Sequence, residues 1–407
     1  MFNNIKDAIN YIETKKVINK DHQRVKNVLN YFNNPENNYH LIHVAGTNGK
    51  GSTVAFLREM LINHNYKVGT FTSPHIISYN ERISYNGYPI DDDSLLYYIN
   101  EILKLDEKYP LTFFEISFVI SLLYFKDKKI DYAIIEVGIG GLKDVTNLLN
   151  YELSLITNIG FDHMNKLGNT LEEIFYQKIG IVKENNYLIT TITNFDELIK
   201  KHCLKYHSQY QIIKEYEIIK FNPLTFKLDN NIYQTSLLGN HQALNASLSI
   251  KAFKHLIKNY DEDKIKYSLL HTFWPGRLEK IDNYLLDGAH NIPAATALIN
   301  TLKSIYPNQK FIFIYAAMKD KETKKVLDIL KDYSKLLILT KLEYYRFEEP
   351  INLFNEIDFK NKIIINNIND ILKYLNKLEG IKIFTGSLYL VSEVRKILLE
   401  NNNDKNK

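Results

Sequence analysis

The chain has 407 residues, 45% of them hydrophobic and 24% charged, with a formal charge of +4. That length is too great for one ordinary core and points to two domains, while the composition excludes a disordered or fibrous chain. The lysines are scattered among acidic residues, so no basic face for nucleic acid is expected, and the single cysteine, Cys203, excludes an internal disulfide and a cysteine-based zinc site.

The first ten residues carry charges and lack the apolar run of a secretory leader, so a cytoplasmic protein is expected. Residues 39–45 read as a buried strand and 53–63 as a helix with Val54, Leu57 and Leu61 on one face. Further strands are expected at 67–71, 132–137, 153–158 and 187–191, with a helical stretch at 171–182. The most apolar segment, 113–125, contains Glu115 and is shorter than the roughly 20 residues of a membrane span. It reads as a buried helix, and no membrane partner is expected. Strands alternating with helical patterns argue for a parallel sheet with crossover helices, an α/β domain. Pro275 and Gly276 interrupt the periodicity, so the boundary is placed at 270–275, dividing 1–272 from 273–407. Beyond it strands are expected at 283–287, 311–316, 336–340, 362–365 and 381–384, and helices at 294–305 and 388–399. Residues 401–407 read as a frayed tail.

Between the first strand and helix lies the turn His43-Val44-Ala45-Gly46-Thr47-Asn48-Gly49-Lys50-Gly51-Ser52. Outward-facing amides of such a turn, backed by a helix dipole, form a nest for phosphate oxygens. Thr47, Asn48, Gly49, Lys50, Gly51 and Ser52 are the candidate nucleotide contacts, Lys50 supplying a point charge and Ser52 or Thr53 an oxygen for magnesium. The run departs from the general G-x-x-x-x-G-K-[ST] pattern, because Val44 stands at the first glycine and Gly51 separates Lys50 from the hydroxyl. A structural turn is the competing reading. Glu136 ends an apolar strand of the same domain, a usual place for a magnesium-holding carboxylate; a solvent-facing acid is the alternative. Asp287 and His290 sit just past one strand and Ser387 in the turn after another, where sites of open α/β sheets gather. Taken alone, Lys178 reads as a surface lysine; a satisfied core histidine is the competing reading for His290 and a helix cap for Asn245.

Other motifs follow in order: Thr72-Ser73-Pro74-His75, Asn80-Glu81-Arg82-Ile83 with Asn86-Gly87, Thr112-Phe113-Phe114-Glu115, Glu136-Val137-Gly138-Ile139-Gly140-Gly141, Asp144-Val145-Thr146-Asn147 and Gly160-Phe161-Asp162-His163. The second half adds Gly239-Asn240-His241-Gln242, Trp274-Pro275-Gly276-Arg277-Leu278-Glu279, Asp287-Gly288-Ala289-His290-Asn291 and Thr385-Gly386-Ser387-Leu388-Tyr389. With the loop variant, this series resembles the folylpolyglutamate synthase and dihydrofolate synthase family, relatives of the Mur peptidoglycan ligases.

The resemblance implies an N-terminal P-loop ATPase-like domain with a mainly parallel sheet and a smaller Rossmann-like α/β C-terminal domain. It implies an ATP-dependent ligase that adds L-glutamate to a folate, or to dihydropteroate to make dihydrofolate, through an acyl phosphate. Two magnesium ions are implied, one held by Ser73 and Glu136 beside Ser52, the other by His163 and a carbamylated Lys178. Asn245, Arg277 and Asp287 are assigned to the nucleotide, and Asp144, His290 and Ser387 to the incoming glutamate. Lys50, His163, Lys178, Arg277, Asp287 and His290 form the implied catalytic set. ATP, L-glutamate and a folate or dihydropteroate are the expected partners of a monomer. Leu142 stands where the family usually has arginine, Gln177 replaces a common glutamate before Lys178, and Ile292 intervenes before Pro293. A peptidoglycan ligase would normally carry a further domain before the loop, and a non-ligating P-loop module would need neither the second metal nor an amino-acid site.

Overall fold

Residues 1–15, 22–319, 322–342 and 347–405 are described in this computed structural model. The chain falls into two compact units. The first comprises Met1–Tyr216, Leu228–Tyr233 and Leu244–Thr272; the second comprises Glu217–Lys227, Gln234–Ala243 and Phe273–Lys407. The division is not one cut, since two short segments before 244 group with the second unit.

In the first unit the apolar runs pair into an eight-stranded sheet: β1 (His40–Ala45), β2 (Val68–Phe71), β3 (Ile83–Tyr85), β4 (Tyr88–Pro89), β5 (Tyr132–Glu136), β6 (Leu153–Ile156), β7 (Tyr187–Thr190) and β8 (Gln209–Ile212). The order is β4-β3-β2-β5-β1-β6-β7-β8. Pairing is parallel from β2 through β8, and only β3 and β4 run antiparallel at one edge. Buried side chains with no polar alternation are what a sheet covered on both faces requires. The helix Phe113–Asp127 supplies one cover, with Glu115 to Phe125 buried throughout, as expected of a helix apolar on all sides. Its acid is accommodated: Glu115 accepts the Thr112 N–H at 2.8 Å and pairs with Arg24 at 2.7 Å. Among the described residues no helix is long and apolar enough to cross a membrane.

A small sheet, order β11-β10-β9, follows in sequence, built from β9 (Glu217–Phe221), β10 (Leu224–Leu228) and β11 (Asn231–Thr235). In the second unit β12 (Glu279–Ile281), β13 (Tyr284–Leu286), β14 (Phe311–Tyr315), β15 (Ser334–Leu339), β16 (Lys362–Ile364) and β17 (Lys382–Thr385) form a sheet of order β12-β13-β17-β14-β15-β16. All its pairs are parallel except β12 with β13. Apolar clusters line both faces, one around Leu302, Phe313 and Leu327 and the other around Ile314, Phe384 and Val391.

The expected strands are present, but β3, β4, β8 and β9 to β12 lacked a sequence signal. They are short or exposed edge and hairpin strands, whose pairing comes from neighbours more than from an apolar pattern. The tail differs too: the last helix runs Leu388–Lys405. Its buried Leu390, Val391, Val394 and Leu398 provide the costly nucleus, after which propagation into 401–405 is cheap. Asn406 and Lys407 lie outside the described residues.

Candidate active site

In the first unit the carboxyl ends of β1, β2, β5 and β6 converge on the glycine-rich loop. Gly49 has φ of 86° and caps the helix Lys50–Asn63. A Cβ there would lie 2.4 Å from Asn245 Oδ1, and one on Gly46 only 1.8 Å from Thr157 Oγ1. Glycine at these two positions lets neighbouring side chains press against bare backbone. The chain after β6 pins the loop: Thr47 N–H donates to Asn158 O at 3.1 Å, Asn48 N–H to Asn158 Oδ1 at 3.0 Å, and Thr157 Oγ1 to Asn48 O at 2.6 Å. Thr157 and Asn158 were not singled out from sequence, since neither belongs to a phosphate-binding pattern. Their signal is only their place at a strand end.

Lys50 Nζ lies 3.7 Å from Glu136, whose other oxygen accepts the Ser73 N–H at 3.1 Å. Glu136 is thus buried at the end of β5 and does not face solvent. Ser52 Oγ and Thr53 Oγ1 are buried without a hydrogen-bond partner, an arrangement that asks for a ligand in a native structure. A hard cation fits this donor set, completing its shell with phosphate oxygens and water. No group of three or more His, Cys, Asp or Glu that could hold a metal occurs among the described residues.

Lys178 is 3% exposed, contrary to the surface reading its residue type suggests. Its ammonium donates to Gly46 O at 3.0 Å, directly behind the phosphate loop. Burial, then repulsion from Lys50, lower its pKa to about 7, against the opposing pull of Asp162. Asp162 also lies 4.0 Å from His163 Nε2, so the two metal candidates share one acidic neighbour. His163 has φ of 50° at the start of a short helix, a conformation few non-glycine residues adopt. Asn245 lies in the second turn of the helix Asn240–Leu256, buried, so it does not cap that helix.

Asp144 is held by Ile139 N–H at 3.0 Å and by both the N–H and hydroxyl of Thr146, at 3.0 and 2.6 Å. Burial raises its pKa more than these donors lower it. Beside it Leu142 is exposed and packs over Gly180, while the Lys143 carbonyl meets His22 Nε2 at 3.2 Å.

In the second unit Asp287 follows β13 and Ser387 follows β17, which are adjacent parallel strands. Asp287 accepts Leu278 N–H at 2.9 Å and Ala289 N–H at 3.0 Å, fixing the loop that carries Arg277. Burial raises its pKa, opposed first by the Arg277 charge. His290 Nδ1 lies 2.8 Å from Gly288 O, and the buried Ser387 hydroxyl accepts Tyr389 N–H at 3.1 Å. Gly386 N–H donates to Ala289 O at 2.9 Å, joining the two loops. Ile292 opens the helix Ile292–Ile305 with Pro293 in its first turn and Asn291 as cap, so the insertion is absorbed as ordinary helix initiation.

Asp287→Ala removes the acceptor of two backbone donors and lowers stability by roughly 2 kcal/mol. Calorimetry should show the melting temperature falling by roughly 5 °C. An unchanged melting temperature would mean that the carboxylate does not hold the loop.

A Mur ligase middle domain model matches residues 44–253, and a Mur ligase glutamate ligase domain model matches residues 276–385. The dihydrofolate synthase/folylpolyglutamate synthase of Bacillus subtilis is 36% identical, with 92% of this chain and 94% of the relative covered. The folylpolyglutamate synthase of Lacticaseibacillus casei is 28% identical, with 96% and 99% covered. The crystal structure of a folylpolyglutamate synthase from Thermotoga maritima matches with a TM-score of 0.86 at 27% identity, covering 98% of this chain and 97% of that one. The chain therefore belongs to the folylpolyglutamate synthase and dihydrofolate synthase family, built from Mur ligase middle and C-terminal domains.

Proposed function

We propose that this protein is an ATP-dependent ligase that joins L-glutamate to the carboxylate of a folate or of dihydropteroate. One observation carries the reading: Lys50, Glu136 and the orphaned Ser52 hydroxyl gather around a glycine-rich loop at the carboxyl ends of parallel strands. Family membership supports the choice of substrates.

The acceptor carboxylate attacks the γ-phosphorus of ATP; the new O–P bond forms as the bond to ADP breaks, giving an acyl phosphate. Lys50 neutralises charge that grows on the transferring oxygens. The glutamate amine then attacks the acyl carbon, phosphate leaves, and the amine loses a proton. Asp144, His290 and Ser387 are assigned to the amino acid, and Asn245, Arg277 and Asp287 to the nucleotide. Ser52, Ser73 and Glu136 would hold one magnesium ion, and His163 with a carbamylated Lys178 a second, each supplying charge neutralisation at phosphate oxygens. The buried Lys178 amine suits carbamylation, in which its nitrogen adds to carbon dioxide and releases one proton. A monomeric, cytoplasmic enzyme completes the reading, in keeping with the free, buried Cys203.

Incubating the protein with ATP, magnesium and labelled glutamate, with dihydropteroate and tetrahydrofolate supplied separately, tests the proposal. Label should enter at least one acceptor with stoichiometric release of ADP and phosphate. If ATP binds while neither acceptor gains label, the protein is not this ligase.

A further inference from the structure

The loop that carries Arg277 is fastened on both sides of that residue by side chains. Gly276 has φ of 67° and Leu278 φ of 48°, so both neighbours of Arg277 take left-handed backbone. Leucine rarely adopts that conformation, and it persists only where the surroundings fix it. Each of the two peptides is held by a carboxylate. Leu278 N–H donates to Asp287 Oδ2 at 2.9 Å, and Gly276 N–H donates to Glu279 Oε2 at 2.9 Å. Gly288 N–H also donates to Gly276 O at 2.9 Å, tying the loop to the residues after β13.

Glu279 opens β12 opposite Leu286 of β13, and its side chain is 7% exposed. A carboxylate so buried keeps its charge only beside a cation. Arg395 supplies one: its Nε lies 2.9 Å from Oε1 and 3.1 Å from Oε2 of Glu279. The guanidinium carbon also lies 5.8 Å from the centre of the Phe273 ring, so a ring as well as an acid holds it. Arg395 belongs to none of the ordered motifs. It lies about two turns into the helix Leu388–Lys405, next to the buried Val391, Val394 and Leu398 that seat this helix on its sheet. Without the cation, Glu279 would take up a proton or turn to solvent, and Gly276 N–H would lose its acceptor. Arg277 would then stand on a loop that keeps its clamp on one side only.

We propose that Arg395 is a positioning residue for nucleotide binding, which keeps Glu279 ionised and seated on Gly276 N–H and so fixes the backbone from which Arg277 meets the nucleotide. The inference rests on the assignment of Arg277 to the nucleotide made above. It gives the last helix a part in nucleotide binding that its apolar packing does not require.

Calorimetric titration with a non-hydrolysable ATP analogue, together with steady-state kinetics, tests it on Arg395→Met, Arg395→Lys and Arg277→Ala, each checked for an intact thermal transition. Methionine keeps an apolar stem and loses the guanidinium. The dissociation constant for the analogue should rise about tenfold, the effect of losing one hydrogen bond to a charged group. KM for glutamate should stay within about twofold, which a general loosening of the helix would not allow. Lysine restores the charge with a less directional donor, and Arg395→Lys should recover part of the loss. In the Arg277→Ala background Arg395→Met should cost nothing more, because the two act through one loop. Wild-type affinity in Arg395→Met, a parallel rise in KM for glutamate, equal losses for lysine and methionine, or additive losses in the double variant would overturn the role. If Arg277→Ala leaves affinity for the analogue unchanged, the underlying assignment of Arg277 fails instead. Amide hydrogen exchange in the wild-type protein decides the geometry even where a variant does not fold. The Gly276 amide should exchange at least ~100-fold more slowly than in an unfolded chain, and more slowly again with the analogue bound. Exchange at the unfolded rate, or no change on binding, would refute the proposal.

Discussion

Lys178→Ala should lower ligation at least ~100-fold, the scale seen when one preorganised electrostatic group is removed from a phosphoryl or acyl transfer site. Binding of ATP, read as thermal stabilisation, should survive, because the phosphate nest is made by the loop and Lys50. Short carboxylic acids added to the alanine variant should restore part of the rate by occupying the place of a carbamate. Wild-type activity in Lys178→Ala, or a carboxylate-independent loss, would sink the carbamate proposal. In the metal-free protein, carbon-13-labelled carbon dioxide should give a carbamate signal that rises with pH through about 7, where the buried amine becomes neutral. The sign for stability follows the same shift. The folded pKa lies below the unfolded one, so the native state binds fewer protons above pH 7, and stability gains as pH climbs from there towards the ordinary lysine range.

Lys50→Met should be the second severe lesion, lowering turnover ~100–1,000-fold through loss of a fixed cation at the phosphates. It should also change Lys178 at a distance. Lys50 is one of the causes of the depressed Lys178 pKa, so its removal lets that amine hold its proton to higher pH. Carbamate formation in Lys50→Met should then need higher pH or more bicarbonate than in the wild type. Identical pH midpoints in the two proteins would show that the lysines are not electrostatically coupled.

The two residues illustrate what was legible. Lys50 was readable because a strand, a glycine turn and a helix start are all local signals, and the phosphate nest is built from consecutive residues. Glu136 was readable for the same reason, as the last residue of a buried strand. Lys178 was not: a lysine on an ordinary helix looks solvated until packing of Phe175 and Ile179 into the core shows which way the helix is turned. Only the resemblance pointed to it. Asp287 was found by its place after a strand, yet its two backbone donors belong to residues on both sides of it in sequence. Glu115 looked anomalous in an apolar helix, and its partner Arg24 lies 91 residues earlier.

By itself the sequence determined the alternation of strands and helices, the phosphate loop and the ordered motifs that identify the family, because each depends on residues close together in the chain. Tertiary structure alone decided that Lys178 is buried behind Gly46 and that Thr157 and Asn158 pin the loop. Those relations join residues about 100 positions or more apart. They arise only when parallel strands bring their carboxyl ends to one edge of the sheet, where burial and proximity set which groups are charged and which donors face each other.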